Sequence, residues 1–188
     1  TPAVVIALAG LVVTYQFVGP PPPKSFVMSA GSTNGAYYAF ARNYASLLAE
    51  NGIDMTIETS AGTVENLDHL LSGDADVAFV QTGVASPAVV ATNALLSLGS
   101  LYLEPLWIVQ HGMDANVLTA LAGKRIAIGP EGSGTRALAT RLLAENGVAP
   151  ATAELLPLTT TEAAEALRAG RIDAACFVMS PQSEMLRD

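Results

Sequence analysis

The chain contains a second version of itself. Leu47–Ile53, LLAENGI, returns as Leu142–Val148, LLAENGV. Gly73-x-x-Asp76-x-Ala78 returns as Gly170-x-x-Asp173-x-Ala175, each just before an apolar run, and the two offsets, 95 and 97 residues, nearly agree. A helix ending such as Leu-Ala-Glu-Asn-Gly can recur by chance. A second motif at nearly the same offset, in the same order of elements, argues for duplication.

The order is readable in both halves. KSFVMSAG reads as a strand entering a loop, and STNGAYYAFARNYASLLAENG as a helix ending at Gly52, with Tyr37, Phe40, Ala41, Tyr44, Leu47 and Leu48 at three-to-four-residue spacing. IDMTIET alternates as a strand, SAGTVENLDHLLSG returns to helix, and DADVAFVQ is a short buried strand. In the second half KRIAIG, a glycine loop, TRALATRLLAENG, ELLPL, TTTEAAEALRAG and RIDAACFVM repeat that order, with Thr159 and Glu162 spaced as a capping box. The expectation is α/β: two lobes of β–loop–α–β–α–β build with largely parallel strands. Ligands of open α/β sheets bind beyond the carboxyl ends of the strands, so facing lobes would enclose a small ligand.

The loop IAIGPEGSGTR, residues 126–136, resembles a phosphate cradle but completes no catalytic signature. Gly129 to Gly134 fit the Walker spacing, yet Thr135 and Arg136 stand where Lys and Ser/Thr belong. The nucleophile elbow fails because Glu131, not glycine, precedes Ser133 by two. What survives is a turn that aims backbone N–H groups and a helix terminus at something negative. Its counterpart is AGSTNG, residues 30–35, and the two loops are expected to face each other across the cleft. Ser32 and Thr33 from one and Ser133 and Thr135 from the other suit a carboxylate at least as well as a phosphate. Two readings stay open for the hydroxyls, ligand contact or helix capping. Arg136 likewise either pairs with Glu131 or grips a ligand carboxylate. Tyr37 and Tyr38, being adjacent, point to different faces, so one of them lines the cleft at most. Asp76 and Asp173 are read as turn-orienting residues.

Composition narrows the function classes. A net charge of −8 with nine scattered basic residues excludes a nucleic-acid surface, and 51% hydrophobic residues supply a substantial core. The one cysteine, Cys176, lies in AACFVM and reads as a buried structural thiol. His69 and His111 have no partner at ligand spacing, so no zinc site is read. Residues 1–19 carry no charge, and the first charged side chain is Lys24. That run sits between signal-peptide and spanning-helix length. With GPPPP behind it and no A-x-A before it, the preferred reading is an uncleaved anchor and proline spacer over 1–23. A signal peptide comes next, then a buried helix. Lobe 1 is expected over 24–105 and lobe 2 over 106–188, continuing past Asp188.

The stretches AGSTNGAYYAFARNYASLL, SAGTVENLDHLLSGDADVAFVQ, YLEPLWIV, LAGKRIAIGPEGSGTRALATRLL and RAGRIDAACFV, in this order from Phe26 to Asp188, together resemble the TAXI family of solute receptors, which serve tripartite ATP-independent periplasmic (TRAP) transporters. The resemblance implies a type II periplasmic-binding-protein fold with a cleft between two hinged lobes. It also implies a periplasmic receptor without a cofactor, which captures a small carboxylate such as glutamate or 2-oxoglutarate and passes it to a membrane permease. The site residues it implies are Gly31, Ser32, Thr33, Asn34, Gly35 and Tyr37 or Tyr38 in the first loop, and Ser60, Ala61, Gly62, Thr63 and Asn66 in the second. Gln81 stands at a strand end; Ser133, Gly134, Thr135, Arg136 and Phe177 come from lobe 2. Glu104 and Pro105 are assigned to the crossing between lobes, and Trp107 to core or hinge packing. Two features depart from the family pattern: the retained apolar leader, and TGVASPAVVATNALLSLGSLY, which is shorter and more apolar than the family's loop. The rival from another class is a membrane-tethered sensory ectodomain of the same fold. An enzyme ranks third, because no nucleophile with a base, metal cluster or complete phosphate loop is present.

Overall fold

The computed structural model describes residues 2–17, 19, 23–91, 95–112 and 117–186. It opens with helix α1 (Pro2–Phe17), apolar and exposed along its whole length. Sixteen residues span about 24 Å at 1.5 Å per residue, short of a bilayer core of about 30 Å. Among the described residues no helix is long and apolar enough to cross a membrane. Most of the proline spacer expected behind it lies outside the described residues.

The first sheet comprises β1 (Ser25–Ala30), β2 (Asp54–Thr59) and the two-residue β3 (Val77–Ala78), all parallel in the order β2-β1-β3. Helices α2 (Ala36–Ala49) and α3 (Thr63–Ser72) are the crossovers. A short α4 (Pro87–Ala91) follows, and residues 95–105, without regular secondary structure, precede the second sheet. That sheet runs β4-β7-β5-β6, from β4 (Leu106–Gln110), β5 (Arg125–Ala127), β6 (Glu154–Leu156) and β7 (Ala174–Val178), with crossovers α5 (Gly134–Glu145) and α6 (Thr160–Arg168). Strands β5, β6 and β7 are parallel as expected. β4 departs from the repeat: it pairs antiparallel with β7, Trp107 opposite Phe177. It has no equivalent in the first sheet because it belongs to the crossing, not to the duplicated unit.

Period-two alternation shows how the second sheet is packed. Ile126, Ala174 and Cys176 point to the α5 side with Ala139 and Leu143, while Ala127, Ala175 and Phe177 point to the α6 side with Ala163, Ala166 and Leu167. Both faces are therefore dry. Burial pushes the Cys176 thiol up to about 12, the behaviour of a structural cysteine. Trp107 packs on the α6-side cluster and donates from Nε1 to the Met179 carbonyl at 3.1 Å, which fits packing. In the first sheet Met28 and Ala30 meet Ala41 of α2, with Met55 and Phe79, in a smaller apolar cluster. The opposite face carries Ser29 against Asn66 and His69 of α3.

The duplicated aspartates do the same thing twice. Asp76 Oδ2 accepts the Val27 N–H at 2.8 Å while the Asp76 N–H donates to the Val27 carbonyl at 2.9 Å. Asp173 accepts the Arg125 N–H and returns its own N–H to the Arg125 carbonyl, both at 2.9 Å. Each aspartate ties the entrance of the last strand of its unit to the first strand. This is the reason the motif recurs.

Candidate functional site

The 129–136 loop does meet the other half, but not through the partner that symmetry suggests. Residues 60–66, between β2 and α3, form the opposite side of the seam. The Gly132 carbonyl accepts from the Val64 N–H at 3.0 Å and from the Glu65 N–H at 3.3 Å. The positive end of α3 is thus taken by a main-chain oxygen from the second half. Ser32 and Thr33, expected opposite this loop, instead line an open concavity of about 410 Å³ with Thr59, Ser60, Ala61 and Glu65.

Glycines make the close approach possible. A Cβ on Gly62 (φ +136°) would come within 3.2 Å of Ser133 Cα. A Cβ on Gly134 would collide with the Gln81 side-chain oxygen and reach 3.0 Å from Thr63 Cβ. Ser133 is committed to local structure: its hydroxyl caps α5 by accepting the Arg136 N–H at 3.2 Å and donates to the Pro130 carbonyl at 2.7 Å. Capping, one of the two readings of that hydroxyl, is therefore present. Neither Ser32 nor Thr33 caps α2, whose N-cap is Gly35 with no side-chain bond.

Behind the seam, Asn66 organises the first half. Its Nδ2 donates to the Phe79 carbonyl at 2.7 Å, and its Oδ1 accepts the hydroxyls of Ser29 at 2.8 Å and Ser60 at 2.5 Å. Ser60 Oγ in turn accepts the Gly62 N–H at 3.1 Å. The one Ser29 proton goes to Asn66, so His69 Nδ1, 2.8 Å away, carries its own proton and donates. Asn66 and Ser60 shape the turn, and Thr63 Oγ1 fixes the next one by accepting the Gln81 N–H at 3.2 Å.

Between the halves lies a carboxylate on the crossing segment. Glu104 accepts Tyr37 Oη on Oε2 at 2.8 Å, Tyr102 Oη on Oε1 at 3.0 Å, and Gln81 Nε2 on Oε2 at 3.4 Å. Burial, and then the negative charge of Glu104, push both phenols above the ordinary tyrosine range, so they remain donors. Tyr37 also stacks on Phe79 at 5.1 Å. One signal in the sequence marks this residue: Glu104 is the sole Asp, Glu, Lys or Arg between Asp76 and Asp114.

The structure thus gathers Gly62, Thr63, Gln81 and Gly134 at the seam, with Tyr37 and Gln81 on Glu104. Gly31, beside Tyr37, borders the same region. Asn34 is exposed in the first loop, and Thr135 lies half-buried in the first turn of α5. Arg136 Nη2 stands 3.7 Å from the exposed Glu131, a loose surface pair, and its Nη1 is buried without a partner. Phe177 is 5% exposed in the α6-side core, so its ring packs inside the second half.

A parallel sheet on one side and a mixed sheet on the other, meeting at a seam beyond the carboxyl ends of their parallel strands, is the architecture of the type II periplasmic binding proteins, and solved structures agree. The chain resembles the alkanesulfonate-binding protein SsuA from Xanthomonas axonopodis pv. citri bound to MOPS, with 21% identity, a TM-score of 0.54, and coverage of 85% of this chain and 56% of that one. For the periplasmic aliphatic sulphonate binding protein SsuA from Escherichia coli the values are 19%, 0.51, 84% and 52%. For an ancestral arginine-binding protein bound to arginine they are 17%, 0.58, 82% and 70%. The chain spans little more than half the length of the two sulfonate-binding proteins. It belongs to the NMT1-like family, whose model matches residues 28–187.

Proposed function

We propose that the chain is the solute-capturing part of an extracytoplasmic receptor of the TAXI type, which closes on a small carboxylate such as glutamate or 2-oxoglutarate and delivers it to a TRAP permease. The observation that carries this reading is the seam itself. Turns from both halves meet at the carboxyl ends of two sheets, where Thr63 and Gln81 of the first half close on Gly134 of the second, and Arg136, two residues further on, has a buried nitrogen without a partner. Ligand capture then amounts to differential contact with the closed arrangement. Lobe 1 over 24–105 and lobe 2 over 106–188 are the bodies that would move. The apolar helix α1 supports tethering of the N-terminus at the membrane, in a periplasmic setting.

A thermal-shift panel of glutamate, 2-oxoglutarate, C4-dicarboxylates, neutral amino acids, sugars and nucleotides tests it. A true ligand raises the melting temperature with concentration, by the equivalent of about 2.7 kcal/mol at a hundredfold excess over Kd. Arg136→Ala should weaken an acidic ligand by about 2–3 kcal/mol in titration calorimetry, the scale of a lost charge-assisted bond. Unchanged affinity would take Arg136 out of the site. Silence across the panel would overturn the receptor reading. Uptake by a reconstituted permease that needs an ion gradient and not ATP separates TRAP delivery from other transport classes; a ligand-dependent signal with no uptake would favour the sensory ectodomain.

A further inference from the structure

The sequence holds three Asn-Gly pairs, at 34–35, 51–52 and 146–147. In such a pair the side-chain amide carbon lies within reach of the next residue's nitrogen. Glycine, having no Cβ, leaves that nitrogen unhindered and the chain free to turn. The structure treats the three pairs differently. Asn51 and Asn146 are equivalent residues of the LLAENG repeat, and each is pinned in the same way. Asn51 Nδ2 donates to the Leu47 carbonyl at 3.0 Å, and Asn146 Nδ2 to the Leu142 carbonyl at 2.8 Å. A bond to the carbonyl four residues back holds each amide along its own helix and away from the glycine that follows. Asn34 is exposed in the loop between β1 and α2, and among the described residues its side chain makes no hydrogen bond. The glycine amides do not separate the cases. Gly35, Gly52 and Gly147 each donate to the carbonyl three residues back, at 2.8, 3.0 and 3.0 Å. The asparagine side chain is what differs.

We infer that Asn34 is a modification site, which deamidates spontaneously through attack by the Gly35 nitrogen and turns the first loop from neutral to acidic. The inference goes beyond the receptor reading and does not depend on it. The Gly35 nitrogen gives up its proton and bonds to Asn34 Cγ. The Cγ–Nδ2 bond breaks, and Nδ2 leaves as ammonia with that proton. Water then opens the cyclic imide. Attack at Cγ restores the main chain with aspartate at position 34; attack at the main-chain carbonyl carbon leaves isoaspartate, with the chain running through Cγ. Water enters, ammonia leaves, and nothing is oxidised or reduced. The fold accepts the new charge. Helix α2 has neither a side-chain cap nor an acidic residue in its first turn, so a carboxylate one residue before its N-cap Gly35 meets an unanswered positive end. The charge also arrives beside Thr33, at the rim of the concavity that Glu65 lines. A freshly made chain and an aged one therefore differ in charge at the same loop.

Peptide mapping by mass spectrometry tests this on the full chain, held folded in a mildly alkaline buffer and sampled over days. Each site reads separately, because the product is heavier than its parent by the difference between water and ammonia. A portion kept in urea is the reference, and there all three pairs should convert at similar rates. In the folded chain Asn34 should convert about fivefold faster than Asn51 and Asn146, or more, since one hydrogen bond is worth roughly that factor in a local opening equilibrium. Both aspartate and isoaspartate peptides should appear at position 34. Conversion of Asn51 or Asn146 as fast as Asn34 in the folded chain overturns the inference. So does an Asn34 that stays intact while the urea sample converts. Aspartate without isoaspartate would mean direct hydrolysis of the amide and would sink the route through Gly35.

Discussion

Helices α3 and α6 occupy the same place in the two repeated units, yet they are built in opposite ways. α6 closes its own N-terminus: Thr159 Oγ1 accepts the Glu162 N–H at 3.4 Å, and Glu162 returns a bond to the Thr159 N–H at 2.9 Å. It then lays Ala163, Ala166 and Leu167 on the sheet. α3 starts after Gly62 with no side-chain cap and gives its first amides to the Gly132 carbonyl. Its sheet-facing side carries Thr63, Asn66 and His69, and Thr63 and Asn66 are almost completely buried. The difference teaches which copy meets the other half of the molecule. A locally capped helix on an apolar face is finished, whereas an uncapped one on a polar brace has donors to offer and a turn whose shape is fixed from beneath.

The largest test of that contrast is Asn66→Ala. It leaves the Phe79 carbonyl and the Ser29 and Ser60 hydroxyls short of a buried partner and should cost about 2–3 kcal/mol in urea denaturation. Ligand affinity should fall with it, because the Ser60–Gly62 turn loses its anchor. A loss below about 0.5 kcal/mol would mean that the polar face does not brace α3. Thr159→Ala should cost about 1 kcal/mol, a typical cap, with ligand affinity unchanged. An effect on binding would break the assignment of α6 as the finished copy. The smallest effect concerns the strand staples. Bonds from the Arg125 side chain and then from its backbone N–H hold the Asp173 carboxyl below its ordinary value. A depressed carboxylate contributes stability above its unfolded pKa, near 4, and loses it as pH falls through the folded value. Asp173→Asn should therefore flatten the fall of melting temperature below about pH 4 and slightly lower the plateau above it. A curve parallel to that of the native chain would show the staple to be energetically silent.

How much of this was legible followed the range of the interaction. The strands, the helices, the Thr159–Glu162 box and the twin aspartates depend on neighbours within a few residues or on a repeated motif, and they read directly from the chain. β4 was missed as an antiparallel partner of β7 because its pairing joins Trp107 to Phe177, seventy residues away, and local periodicity carries no register. The symmetry that revealed the repeat also misled: it matched loop 30–35 with loop 129–136, whereas the seam joins the second turn of one unit to the first turn of the other. Ala61-Gly62 and Gly132-Ser133-Gly134 were the available signal, small residues on both sides of a backbone contact. Asn66 and Ser60, expected among the site residues, spend their polar atoms inside the first half. Glu104 was visible as an isolated charge, but its partners Tyr37 and Gln81 are brought to it only by the fold.

The bond from Gly132 to the amides of α3 is made wholly of main chain. Any residue at positions 64 and 65 other than proline would supply the same two donors, and what the clasp asks of position 132 is a glycine, whose φ of +75° and lack of a Cβ let its carbonyl reach them past Ala61. Contact between the halves is in this respect indifferent to the side chains that line the cleft. Tyr37, Gln81, Glu104 and Arg136 can thus be exchanged for other chemistry while the same clasp is inherited.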